Sequence, residues 1–171
     1  MTGDFKLVAR VMVSDYCRDV FRGVGSLVDV GGGTGIMSAA IAGAYPNISC
    51  TVFDLPEARA IGLPNLEFVG GTMFEKIPHG DAILLKAVSS SDKNNRGKVI
   101  LIDMVVEINQ IVANDKDFSQ VQLCSDLLMM CLVNGKERTE AEFNNLFITA
   151  GFSGYKIVRA LGPRSIIEVY P

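Results

Sequence analysis

Hydrophobic and polar positions along this chain switch between two spacings. Over residues 5–22, Leu7, Val8, Val11, Val13 and Val20 stand against Arg and Asp, and the spacing predicts one helix. Leu27-Val28-Asp29-Val30 is a short β-branched run that stops at Gly31-Gly32-Gly33-Thr34-Gly35. Residues 36–44 return to a helical pattern, and further short strands are predicted at 49–53, 66–69, 82–85 and 98–103. Ser119-x-x-Gln122 and Thr139-x-x-Glu142 both match the capping box, in which a hydroxyl and an acid or amide satisfy the first free amides of a helix. The first is expected to open a helix running to about residue 133, too apolar to lie exposed. The second opens a helix with Phe143, Leu146, Phe147 and Ala150 on one face, stopped by Gly151. Residues 155–160 and 165–170 predict two strands, and Gly162-Pro163 between them makes a hairpin the economical arrangement.

Strands alternating with helices predict an α/β fold: a mostly parallel sheet with helices on both faces and an antiparallel hairpin at one edge. The chain has 171 residues, enough to bury roughly 70% of its unfolded surface. Apolar residues make up 49% and charged residues 20%, which argues against disorder. The net charge of -3 gives no basic patch, so neither nucleic acid nor an anionic membrane is expected as a partner. The longest uncharged apolar run, at 127–133, is too short to span a bilayer, and the opening residues lack a signal-peptide core, so a cytoplasmic location is expected. Cys17, Cys50, Cys124 and Cys131 form no CxxC pair and the chain has one histidine, so no metal site is expected. Cys124 and Cys131 share one helix face among Leu and Met and are expected as buried thiols. Asn47-Ile48-Ser49 matches a glycosylation sequon, read as chance.

Ligands of such sheets bind at the carboxyl ends of the strands. There the sequence places Gly31 to Gly35 after the first strand, Asp54 after the second, Thr72 and Met73 after the third, Lys86 after the fourth and Asp103 after the fifth. Glycines admit close approach of backbone to a ligand, and the following helix N-terminus favours an anion. Asp54 lies 23 residues after Gly31, where a carboxylate can accept both hydroxyls of an adenosine ribose. A dinucleotide fingerprint wants glycine at offsets 0, 2 and 5. From Gly31 the last position is Ile36, and from Gly33 it is Ser38. The frame Asp29-x-Gly31-x-Gly33-x-Gly35 fits throughout, and it resembles the first motif of S-adenosylmethionine-dependent methyltransferases.

Further motifs extend that resemblance. The segment 27–35, Thr51-Val52-Phe53-Asp54-Leu55-Pro56, Phe68-Val69-Gly70-Gly71-x-Met73-Phe74, Asp81-Ala82-Ile83-Leu84-Leu85-Lys86 and Gly135-Lys136-Glu137-Arg138 are similar to plant small-molecule O-methyltransferases. Arg164-Ser165-Ile166-Ile167-Glu168-Val169-Tyr170-Pro171 is similar to their isoflavone and flavonoid branch. The resemblance, over about residues 12–171, implies a Rossmann-like methyltransferase fold, S-adenosylmethionine as cofactor and a small phenolic substrate. It implies that Gly31, Gly33 and Gly35 lie along the cofactor, Asp54 binds its ribose, Met73 packs on its adenine and Lys86 contacts it. It also implies that Asp103 and Glu137 hold a histidine base, and the Leu128-Met129-Met130 run is expected either in the core or along a phenol pocket.

Three departures stand out. Thr72 occupies a position where the family carries Asp, so a hydroxyl replaces a charge. The family's base position holds Ser90, within Lys86-Ala87-Val88-Ser89-Ser90-Ser91-Asp92. Residues 87–97 leave eleven residues for a crossover that in the family contains a helix. The single histidine, His79, precedes the fourth strand and is expected at the opposite edge of the sheet. Residues 1–22 are read as a remnant linker helix and 23–171 as the methyltransferase domain; the resemblance implies a homodimer formed through a helical N-terminal domain, which is expected to be absent here. Three outcomes remain open: an impaired phenol methyltransferase, a methyltransferase for an acidic acceptor that needs no base, and a non-catalytic paralogue that binds the cofactor or pairs with an intact relative. A nicotinamide dehydrogenase is the remaining alternative.

Overall fold

The computed structural model describes residues 2–55, 63–86, 97–106, 116–133 and 135–171. The apolar runs become β1 Ser26–Val30, β2 Ser49–Asp54, β3 Leu66–Gly70, β4 Ala82–Lys86 and β5 Lys98–Val106. These five lie parallel in the order β3-β2-β1-β4-β5. β7 Gly154–Leu161 and β8 Arg164–Tyr170 form the expected hairpin around Gly162, and β8 adds antiparallel to β5, leaving β7 outermost. β5 runs three residues beyond the expected end because β6 Arg138–Thr139 pairs with Val105 and Val106.

Period-two alternation divides the core. Leu27, Cys50, Ala82, Leu84, Ile100, Ile102 and Ile166 face the helix α2 Ile36–Ala44, whose Met37, Ile41 and Ala42 are buried there. Val28, Val30, Phe53, Ile83 and Leu85 face the other way. On that second face α4 Glu140–Ala150 packs Phe143 and Phe147 on Ile167 and Val169. The Thr139 capping box forms as expected: the hydroxyl accepts from the Glu142 amide while the Glu142 side chain accepts from the Thr139 amide. The helix stops at the left-handed Gly151, with φ of 87°.

Four expectations need correction. Residues 5–22 are not one helix: α1 Thr2–Met12 ends, and a 3-10 helix spans Asp15–Phe21. Ser14 breaks the path with extended backbone while its hydroxyl donates to Val11 O at 2.6 Å, the competition with helical bonding that serine offers. Both pieces still bury Val8, Met12, Cys17, Val20 and Phe21 against the sheet.

The apolar helix α3 Lys116–Val133 begins before Ser119, so Ser119 is not its cap. Nor is α3 buried. Among its described side chains, 120–131, Gln122 is the buried one, because its Nε2 donates to Val105 O at 3.0 Å. Val121, Leu123, Leu127, Leu128 and Met130 are exposed. Gln122, Ser125 and Asp126 share one face of the helix and turn it inward, to Val105 O and to Glu137, so the apolar positions are left outward. Cys124 and Cys131 are exposed with it, against the expectation of buried thiols, whereas Cys17 and Cys50 are buried as expected.

Candidate active site

β1 ends beside the loop at 31–35. Gly31, Gly33 and Gly35 have φ of 70°, 57° and 75°, the left-handed region in which a Cβ is costly. The Gly31 amide donates to Phe53 O at 2.8 Å, which carries the β1–β2 ladder into the loop. Asp54, at the end of β2, turns its carboxylate toward the same loop. Its Oδ2 accepts the Gly33 amide at 2.7 Å and its Oδ1 accepts the Leu55 amide at 2.7 Å. An ionised carboxylate has about four acceptor positions, so capacity for two hydroxyls remains.

The chain returns above β3 through Gly71, whose amide donates to Asp54 O at 2.9 Å. Any Cβ on Gly71 would come within 2.6 Å of the Phe53 ring, so the loop can pass there only with glycine. Thr72, Met73 and Phe74 then face the glycine loop. Val30, Gly31, Asp54, Thr72, Met73 and Phe74 line a cleft of about 170 Å³. An accepting carboxylate at one side and an apolar wall at the other suit a ribose and a flat base.

A second group assembles beside β4 and β5, where Asp103, expected just after the fifth strand, instead lies three residues inside β5 and pairs with Ser165 of β8. Lys86 closes β4 opposite Ile102, so Asp103 is the next residue on the neighbouring strand. Asp103 Oδ1 accepts the Met104 amide at 2.8 Å. Burial pushes its carboxyl above the usual range and the Glu137 charge adds to this, while Arg138 and Arg164 oppose it. Glu137 is held by α3: Ser125 Oγ donates to its Oε1 at 2.7 Å, and its amide donates to Asp126 Oδ1 at 2.8 Å.

The family model for the O-methyltransferase domain matches residues 1–95 and 91–153. The chain belongs to this family. The members it resembles are S-adenosylmethionine-dependent O-methyltransferases. It is 48% identical to "Myricetin 7/4'-O-methyltransferase 2" of Solanum lycopersicum, covering 100% of this chain and 53% of that one. It is 44% identical to "Trans-resveratrol di-O-methyltransferase" of Vitis vinifera, over 100% of this chain and 52% of the relative. This chain thus spans about half the length of the curated relatives it matches. The fold is shared with CalO1, a methyltransferase of calicheamicin biosynthesis in its S-adenosylhomocysteine-bound form, at TM-score 0.77 and 25% identity over 99% of this chain and 53% of that one. It is shared too with human N-acetylserotonin methyltransferase in complex with S-adenosylmethionine, at TM-score 0.76 and 18% identity over 96% of this chain and 51% of that one. The two pieces of the family match meet at residues 91–95, between β4 and β5, where the sequence places its shortened crossover. The alignment to the tomato enzyme runs over 191 positions against the 171 residues of this chain.

Within this O-methyltransferase fold the expected residues fall into two clusters at one edge of the sheet. Gly31, Gly33, Asp54, Thr72 and Met73 come together at the cleft or on its loop, and Gly35 begins α2. Asp103 of β5 and Glu137 come together, with Lys86 one strand away. Ser90 lies outside the described residues. His79 is exposed before β4, at the end of the sheet where Asp81 accepts the Gly25 and Ser26 amides at 3.0 and 2.9 Å. Sequence reasoning missed Phe74 as a cleft wall and left Asp29 as a mere opening of the glycine frame. The signal for Asp29 was present: an acid inside a strand whose register neighbours are Val52 and Leu84.

Proposed function

We propose that this chain binds S-adenosylmethionine in the cleft between the glycine loop, Asp54 and Met73, and that it derives from an enzyme methylating small phenolic, flavonoid-like hydroxyls. The observation that carries this is the convergence of Gly31, Asp54, Thr72 and Met73 on one cleft in a chain of O-methyltransferase family. Its relatives named for methylating myricetin and resveratrol support a phenolic acceptor. When bound, the cofactor supplies an electrophilic methyl group on a sulfonium. The protein's residues hold and orient: Asp54 accepts ribose hydroxyls, Met73 and Phe74 wall the base, and Thr72 offers a hydroxyl in place of a charge. Lys86 closes the site from β4, and Asp103 with Glu137 forms the acidic edge where the acceptor's proton is handled.

That last step is impaired in this chain. A phenol with a pKa near 10 stays protonated at neutral pH, and a positioned base contributes roughly 10²–10⁴ in rate. Ser90 cannot take that proton at pH 7, and His79 is at the wrong end of the sheet. The same serine, with the split family match beside it, favours a second reading: a non-catalytic paralogue that binds the cofactor or pairs with an intact relative. The deciding experiment measures transfer of labelled methyl to a flavonol panel by the chain and by Ser90→His. Slow transfer raised by roughly 10²-fold or more in the variant supports the impaired enzyme. No transfer by either, with cofactor still bound, supports the paralogue. Ordinary rates by the unaltered chain overturn the impairment.

A further inference from the structure

The glycine loop has almost no side chains with which to hold its own shape. Gly35 stands at the N-cap of α2 and supplies no capping bond. The capping work is done from beneath by Asp29. This residue sits in β1 on the α2 side of the sheet and is 3% exposed. Its Oδ2 accepts the hydroxyl of Ser38, the third residue of α2, at 2.6 Å, and its carboxylate also accepts the Ser38 amide. Gly32 lies directly over it: a Cβ there would come within 2.8 Å of Asp29 Cγ and Oδ2. Loop, strand and helix therefore meet at one buried carboxylate.

We propose that Asp29 is a positioning residue for cofactor binding: its ionised carboxylate ties the first turn of α2 to β1 and seats Gly32, and so holds Gly31 and Gly33 in binding geometry. The proposal rests on the reading of the cleft as the cofactor site. It has a pH signature. Burial between Val52 and Leu84 pushes the Asp29 carboxyl up to about 6, the two Ser38 bonds oppose this, Asp54 adds to it and Lys86 opposes it. Among the described residues the remaining titratable neighbour is Cys50 of β2, whose thiol pKa burial pushes up to about 12, and α2 contributes no charged residue. Below pH 6 a proton enters Asp29, the Ser38 bonds lose their charge assistance, and the loop loosens. Between pH 5 and 7 the α-carboxylate and α-ammonium of an S-adenosyl ligand keep their charges, and the chain's single histidine lies at the far end of the sheet.

The test is calorimetric titration of the full chain with S-adenosylhomocysteine at pH 5 and pH 7. Kd is expected to rise about tenfold from pH 7 to pH 5 in the unaltered chain. Asp29→Asn should bind more weakly at pH 7 and with a Kd that no longer changes with pH. Its melting temperature at pH 7 should not fall, because ionising a buried acid whose folded pKa is raised works against the native state above about pH 6. Ser38→Ala, which leaves the acid in place, should weaken binding and move the pH transition upward. PH-independent binding by the unaltered chain, or a normal pH dependence in Asp29→Asn, overturns the proposal alone. Failure of the unaltered, folded chain to bind at either pH overturns the cofactor reading and this proposal with it.

Discussion

Asp54 holds Gly33: the carboxylate Oδ2 accepts the glycine amide at 2.7 Å, across the mouth of the cleft. The side chain proposed to grip a ribose therefore also shapes the loop opposite. Two bonds of the charged kind disappear together in Asp54→Ala, each worth about 1.5–3 kcal/mol. Affinity for S-adenosylhomocysteine should fall by about 100-fold or more by calorimetry. Asp54→Asn keeps one acceptor oxygen and should fall between the two. An Asp54→Ala chain that binds normally would remove Asp54 from the site.

Gly32 and Gly33 are required for different reasons. Gly33 has φ of 57° and open space where a Cβ would point, whereas Gly32 lies outside the left-handed set and would drive a Cβ into Asp29 and Val52. Asparagine tolerates the left-handed region. Gly33→Asn should therefore melt near the parent chain, while Gly32→Asn should lose about 1–3 kcal/mol by overpacking. Equal losses in thermal melts would refute the distinction.

Lys98 and Glu168 form a pair inside the fold, 2.8 Å apart with side chains 14% and 3% exposed. Lys98 Nζ also donates to Val20 O at 2.5 Å, which ties the 3-10 helix to β5 and β8. Glu168→Ala leaves that ammonium without its carboxylate and should cost about 3–5 kcal/mol. Replacing both, as Lys98→Met with Glu168→Leu, should cost much less. Chemical denaturation of the three chains checks this.

Glu142 carries an acid-side signature. Lys136 and the Thr139 amide hold its carboxyl down to about 2. A carboxyl lowered in the folded state adds stability above its unfolded value near 4.5, and that contribution is lost as pH falls toward 2. Glu142→Gln should flatten the acid limb of stability between pH 4.5 and 2 and leave the slope above pH 5 unchanged. Melting curves across that range decide it.

Much of this was legible in the chain itself. Parallel strands showed as β-branched runs between glycines, and the cleft showed as residues at strand ends, since a parallel sheet places all carboxyl ends on one edge. What was not legible has physical causes. Helix α3 turns its polar face inward, Gln122 to Val105 O and Ser125 and Asp126 to Glu137, so the apolar residues that suggested burial lie outward. The break at Ser14 depends on one hydroxyl choosing the Val11 carbonyl over solvent. Asp29 read only as the first residue of the glycine frame, because its partner Ser38 arrives only when α2 folds back over β1.

The position of β8 between β5 and β7 sets the order in which the sheet can be completed. β7 leaves the chain's assembly line first, yet its ladder is built on β8. It cannot join the growing sheet by itself, since the site beside β5 belongs to a strand that follows it. Whether β8 docks first and β7 adds to it or the hairpin docks whole, closure of that edge waits on β8, which follows β7 in the chain and pairs with a strand far from it in sequence.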